Sequence, residues 1–333
     1  MIMKRTIPII ALAAINFAAA PLASAAAFEP KDVAADPALF LHVDCDALRS
    51  SSVGKSILSE QDVQDKLAAV GAIFDFDLRT QLHGLTVYTT EGHAKDGVLI
   101  VYADFDPTRL ITMAKVGDGF RTDTNGSHVI YSWLDKKNKK EKDGERTRVC
   151  GSIMGHRVIF GHDESRLEDA LNVIEGKSPS FSGKTGLLEA ESGESILVQG
   201  LLLKFDFDDS DLNAAIFKMS KAVRVKLSEL DKNMTATVRF EASDTDTASQ
   251  ISAIATGLKA VLMLQKGNAE ALKLANSVVI KQDGPAVKLT LSKSSAELVD
   301  MIKEQQKKDE QKEEQKEEKE QKEHDTNSPP DNK

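Results

Sequence analysis

The chain has 333 residues, 41% of them apolar and 29% charged, and a formal net charge of −9. That length excludes a mini-protein held by metal or disulfides and suffices for a sizeable core in one large or two smaller domains. The acidic balance repels nucleic acid and anionic lipid at long range, and with a single tryptophan, Trp133, the core is expected to be mainly aliphatic.

The chain opens with Lys4 and Arg5, then an apolar run from Ile7 to about Ala20, then Ala23-Ser24-Ala25. A basic start, a short apolar stretch and a small-x-small site together predict a secretory signal over residues 1–25, cut after Ala25, with Ala27 as second choice. The run is short of the roughly 20 apolar residues a spanning helix needs, and Pro8 and Pro21 bracket it. No cysteine stands at the cut to carry a lipid, and no later stretch reads as a membrane span. The expected location is the periplasm or beyond the cell. Without Lys4 and Arg5 the net charge falls from −9 to about −11.

Ala38–Val43 alternates as a strand, with Leu39, Leu41, Val43 and Cys45 on one face. A helix is predicted over Val53–Phe74, where Val63, Leu67, Val70 and Phe74 form one stripe. Gly84–Tyr88 and Val98–Ala103 read as a hairpin. Asp106-Pro107 then opens a helix, with Asp as N-cap and Pro at the first helical position, and His128–Trp133 is a further strand. This βαββαβ order is ferredoxin-like. Lys136–Arg146 has no apolar residue and reads as a solvated hairpin loop before Thr147–Ile153; Val158–Phe160 is the next strand, and Asp163 caps a helix over Glu164–Glu175.

Residues 177–194, rich in Gly, Ser and Lys at their start, read as a linker. Beyond it come strands Ser195–Leu203, Ala222–Leu227 and Thr235–Glu241. A helix Thr245–Leu264 follows, capped by Ser243 or Asp244. A short helix Ala269–Ala275, strands Ser277–Lys281 and Ala286–Leu291, and a last helix from Ser294 complete the body. The expectation is an α+β protein of two related units, 26–176 and 195–302. Each is mainly antiparallel sheet with helices on one face. A charged tail, 303–333, should be disordered: it has no apolar residue from Glu304 to Glu323, and its like-charged i,i+4 pairs outnumber the opposite ones. Asp46/Arg49, Asp106/Arg109 and Asp163/Arg166 repeat an Asp-x-x-Arg spacing after a strand, which fits helix starts better than a repeated anion site.

His42-Val43-Asp44-Cys45-Asp46 is the densest group of metal-capable residues, and His42, Asp44 and Asp46 are the best metal candidates the chain offers. A zinc site needs three or four converging ligands, and a strand brings only His42 and Asp44 to one face, so no metal is assigned. The acidic run Asp206–Asp211 lacks calcium-loop spacing, and Asp75, Asp77, Asp104 and Asp106 read as turn and cap residues. Gly54-Lys55-Ser56 ends like a phosphate loop, but Arg49 stands where its first glycine belongs. No nucleophile elbow or metalloprotease motif occurs, so no catalytic residue and no cofactor is assigned. Cys45 and Cys150 either pair in an oxidising compartment or stay as two thiols; the Cα separation decides.

The strand Ala38–Asp46 with Arg49 and Gly54-Lys55, the segment Leu82–Tyr88, the stretch Tyr102–Asp106 with Arg109-Leu110, and Tyr131-Ser132-Trp133 together resemble a family of exported bacterial envelope proteins of unknown function. The resemblance spans most of the body, implies an envelope location and carries no functional residues. The expected role is a non-enzymatic binding or structural module for an envelope protein or cell-wall component, with no nucleic-acid partner. The alternatives are a hydrolase-type enzyme with an unrecognised site, or a carrier of a metal or small ligand.

Overall fold

The structure, a computed structural model, describes residues 28–74, 76–92, 96–134, 148–181, 187–204, 212–264 and 269–304. The expected signal, the charged loop 136–146, the acidic run 206–211, residues 182–186 of the linker and the tail from 305 lie outside the described residues.

A single 3-10 turn (Pro30–Asp32) leads into β1 (Leu39–Asp44). Four helices follow: α1 (Cys45–Ser50), α2 (Ser52–Leu58), α3 (Gln61–Phe74) and α4 (Leu78–Gln81). Then come β2 (Leu82–Thr89), β3 (Val98–Ala103), α5 (Pro107–Ala114), β4 (Arg121–Asn125), β5 (His128–Leu134), β6 (Arg148–Met154), β7 (Arg157–Gly161) and α6 (Glu164–Ile174). The second half holds β8 (Ser195–Leu202), α7 (Leu212–Lys218), β9 (Ser220–Leu230), β10 (Asn233–Ala242), α8 (Thr245–Leu264), α9 (Ala269–Ser277), β11 (Val278–Asp283) and β12 (Ala286–Ser294), and a last helix, α10, covers 295–304.

The protein is α+β, with one large antiparallel sheet. Twelve strands pair in the order β11-β12-β10-β9-β8-β1-β2-β3-β7-β6-β5-β4. Two finer expectations are corrected. A split βαβ unit leaves room for another strand between its first two, whereas β1 and β2 pair directly, Leu39 against Thr89 through Asp44 against Gly84. The first three strands therefore run as a meander, not in ferredoxin-like order. The other side of β1 pairs with β8, Leu39 against Leu202, so the two halves share one sheet.

In the first half helices lie on both faces rather than one, α6 on the first and α3, α4 and α5 on the second, whereas in the second half α8 packs on a single face as expected. Residues alternate between the faces along each strand. On the first face Phe40, Ile100 and Ile159 pack with Leu167, Ala170 and Leu171 of α6. On the second, Val223, Phe240 and Val287 pack with Ala248, Ile251 and Ala255 of α8. A smaller cluster joins Val53 of α2, Leu197 and Met234 to Leu298 and Ile302 of α10.

Helix starts follow the capping chemistry. The side chains of Asp106, Asp163 and Asp244 accept from the backbone N–H groups of Thr108, Arg166 and Thr247. At α1 the cap is Asp44, accepting from Ala47 at 2.8 Å, so Cys45 begins a helix instead of closing a strand. The helix expected over Val53–Phe74 is two, because the chain turns at Ser59-Glu60, where the Ser59 hydroxyl donates to Ser56 O at 2.6 Å. By length and composition α8 meets the requirements of a membrane span, against the expectation that nothing after residue 25 would; one of its faces packs on the sheet.

Candidate functional site

On the second face of β2, β3, β7, β6 and β5, the sheet and its covering helices stand apart around a cavity of about 550 Å³. Its floor is made by alternate strand residues: Leu85, Val101, Val158, Phe160, Ile153 and Trp133. Its walls are Phe76 and Leu78, where α3 runs into α4, and Phe105, Leu110, Ile111 and Met113, on and just before α5. Among the described lining residues there is no carboxylate, imidazole, ammonium or guanidinium, and the polar tips are those of Ser152, Tyr131 and Trp133.

The local sequence explains the space. Asp106 and Pro107 start α5 immediately after β3, which lays its apolar stripe over the sheet. Yet α5 has only eight residues, none of them fully buried. Two glycines in the lining keep the aromatic groups close: a Cβ on Gly151 would stand 3.2 Å from the Phe160 ring, and one on Gly117 would stand 3.0 Å from Trp133. The rings of Trp133 and Phe160 meet edge to face at 6.4 Å, a favoured aromatic geometry. The volume falls within the usual range of small-molecule sites, about 300–1,000 Å³.

The metal candidates do not assemble. His42 is buried, its Nδ1 lying 2.8 Å from Thr86 Oγ1. Asp44 is spent on the α1 cap; burial pushes its carboxyl above the usual range. Asp46 pairs with Arg49 and with His83. Among the described residues no group of three or more potential ligands forms. Of the two alternatives for Cys45 and Cys150, the structure has two separate thiols. Cys45 follows β1 and Cys150 lies in β6, four strand spacings away. At 4.7–4.9 Å per spacing that is roughly 19 Å, far beyond disulfide reach.

Sequence reading missed this site because each lining residue reads as an ordinary core position. The available signal was the clustering of scarce aromatics, since Phe76, Phe105, Tyr131, Trp133 and Phe160 all reach it.

No protein-family model matches the chain, and no curated protein does. Among solved structures it is similar to TP0453 in crystal form III, at 12% identity and TM-score 0.44, covering 83% of this chain and 98% of that one. Crystal forms I and IV of the same protein give 10% and 12% identity, each with a TM-score of 0.41.

Proposed function

We propose that this is an exported, non-enzymatic binding module that takes an apolar small molecule into the cavity beneath α5. The observation that carries this reading is the lining: about 550 Å³ walled by aliphatic and aromatic side chains, with no charged group among the described lining residues. Such a surface gains by exchanging water for apolar contact, at about 25 cal/mol per Å². It offers no acid, base or ionised nucleophile to a reaction, which favours binding over turnover. The basic start and small-x-small site at residues 4–25 support export.

The test is titration of the protein with N-phenyl-1-naphthylamine, a neutral apolar fluorophore, read by its emission and by energy transfer from Trp133, the sole tryptophan. Saturable binding is expected. Ala114→Phe, which puts a ring into the cavity from α5, should weaken it about tenfold or more, equivalent to 1.4 kcal/mol. Equal binding by A114F, or none by the parent protein, overturns the reading; turnover of a generic ester by the parent protein overturns its non-enzymatic part.

A further inference from the structure

The rim of the cavity carries a chain of ionisable groups that the lining does not use. In β2, Leu82 pairs with Ala103 and Gly84 pairs with Tyr102, which leaves His83 as an extra, unpaired residue in the ladder. A bulge of this kind re-aims a side chain. Here it keeps both Leu82 and Leu85 in the cavity lining and sends His83 to the carboxylates around it. Its Nδ1 lies 3.0 Å from Asp46 Oδ2, and its Nε2 lies 3.1 Å from Asp104 Oδ2.

Both partners sit where the cavity's walls attach. Asp104 lies between Ala103 and Phe105, two lining residues, just ahead of the Asp106 cap of α5. His83 follows α4 and Leu82 directly, and the backbone N–H of Asp104 donates to Gln81 O at 2.8 Å. Asp46 belongs to α1, where it also pairs with Arg49, whose guanidinium donates to Leu82 O at 2.5 Å. On the far side, His156 Nδ1, from the turn between β6 and β7, lies 3.2 Å from Asp104 Oδ1. His83 is thus faced by Asp46 and Arg49 from α1 and by Asp104 from the β3–α5 junction, with His156 behind Asp104.

We propose that His83 is a proton-operated clasp that holds the α4–β2 and β3–α5 junctions together and so sets access to the apolar cavity. Only the doubly protonated imidazole donates from both nitrogens. It then serves Asp46 and Asp104 at once. The neutral ring has one N–H, so one carboxylate must face a lone pair, and that link opens. The His83 hydrogen bond also holds the Asp104 carboxyl below the usual carboxylate range, which keeps it ionised and ready to accept. The clasp is closed while the ring carries both protons and released when it gives one up, the charge change by which histidine serves as a pH switch.

The inference rests on the cavity as a binding site, but its test needs no ligand. Trp133 lies in the lining, so quenching of its emission by acrylamide reports access directly. In the full chain the quenching constant should rise about twofold or more between pH 5 and pH 8 as the open form gains population. His83→Gln, which never carries charge, should quench strongly at both pH values. His83→Arg, always charged and a multiple donor, should quench weakly at both, and His156→Gln should keep the step. A step that survives in H83Q, or its absence from the parent protein, overturns the clasp. A step lost in H83Q establishes it even if no apolar fluorophore binds at any pH, a result that would count only against the binding reading.

Discussion

Strands β3, β7, β6 and β5 present two faces built from the same alternation of apolar residues, and the two have opposite fates. Under α6 the space is closed: Ile100, Ile159, Leu167 and Ala170 are each 0% exposed. Under α5 it stays open as a cavity of about 550 Å³. The helices make the difference. α6 has eleven residues, four of them buried, with Ala170 small enough for close approach, while α5 has eight and buries none. The closed face also admits polar groups, but in pairs. The Tyr102 hydroxyl and Arg157 Nε donate to the buried Asp32 at 3.0 and 2.7 Å; in the other half of the sheet Lys226 of β9 donates to Glu194 at 2.7 Å. Apolar alternation therefore specifies which residues turn inward and leaves open whether a helix seals over them.

The comparison breaks most readily through truncation. Leu167→Ala beneath α6 should cost about 3–4 kcal/mol, the usual transfer-plus-cavity loss for a sealed leucine. Leu110→Ala on α5 should cost about 1 kcal/mol or less, because its site already borders open space. Urea unfolding of the two variants measures both, and equal losses would mean that the faces are packed alike.

Paired polarity at β9, in the second half of the sheet, gives a pH signature of intermediate size. Burial pushes Glu194 up, but hydrogen bonds from Lys226 and Ser228 outweigh it and hold the carboxyl below the usual range. A depressed folded pKa contributes stability that is present above the unfolded value, about 4.3 for glutamate, and is lost as pH falls through the folded value. Chemical denaturation between pH 6 and pH 3 should therefore show a steeper loss for the parent protein than for Glu194→Gln. Parallel profiles would remove the pair from the account of stability.

The smallest effect compares the caps. Asp163→Ala and Asp106→Ala each delete one N-cap, worth about 1 kcal/mol. The first should appear in the melting temperature alone. The second should also raise acrylamide quenching of Trp133, because α5 roofs the cavity. If D106A leaves quenching unchanged, α5 is not what limits access.

Much of this was legible beforehand, for identifiable reasons. The caps at Asp106 and Asp163 and the β2/β3 and β11/β12 pairs follow from local chemistry, and the structure keeps them. The β4 strand, Arg121-Thr122-Asp123-Thr124-Asn125, was invisible. All five residues are exposed on a sheet edge, so no alternation marks them, and only the pairing with β5 makes them a strand. The ferredoxin-like expectation failed because strand order is not encoded in any one segment: β1 takes β2 on one side and the distant β8 on the other. The clasp escaped notice for a similar reason, since His83, Asp46 and Asp104 come from three segments and meet only through a bulge.

That β1–β8 pairing also governs when the molecule can become itself. Leu39 waits for Leu202, some 160 residues later, and contacts so distant in sequence form slowly because a long loop must close first. Until β8 has been synthesised, β1 is an unfinished margin, with the backbone N–H and C=O groups of Leu39–Val43 unpaired on one side. Such a margin is a template for whichever extended chain arrives first. A growing or truncated chain is accordingly the form of this protein most in need of a chaperone, and the segment that needs shielding is the five residues at the centre of the finished sheet.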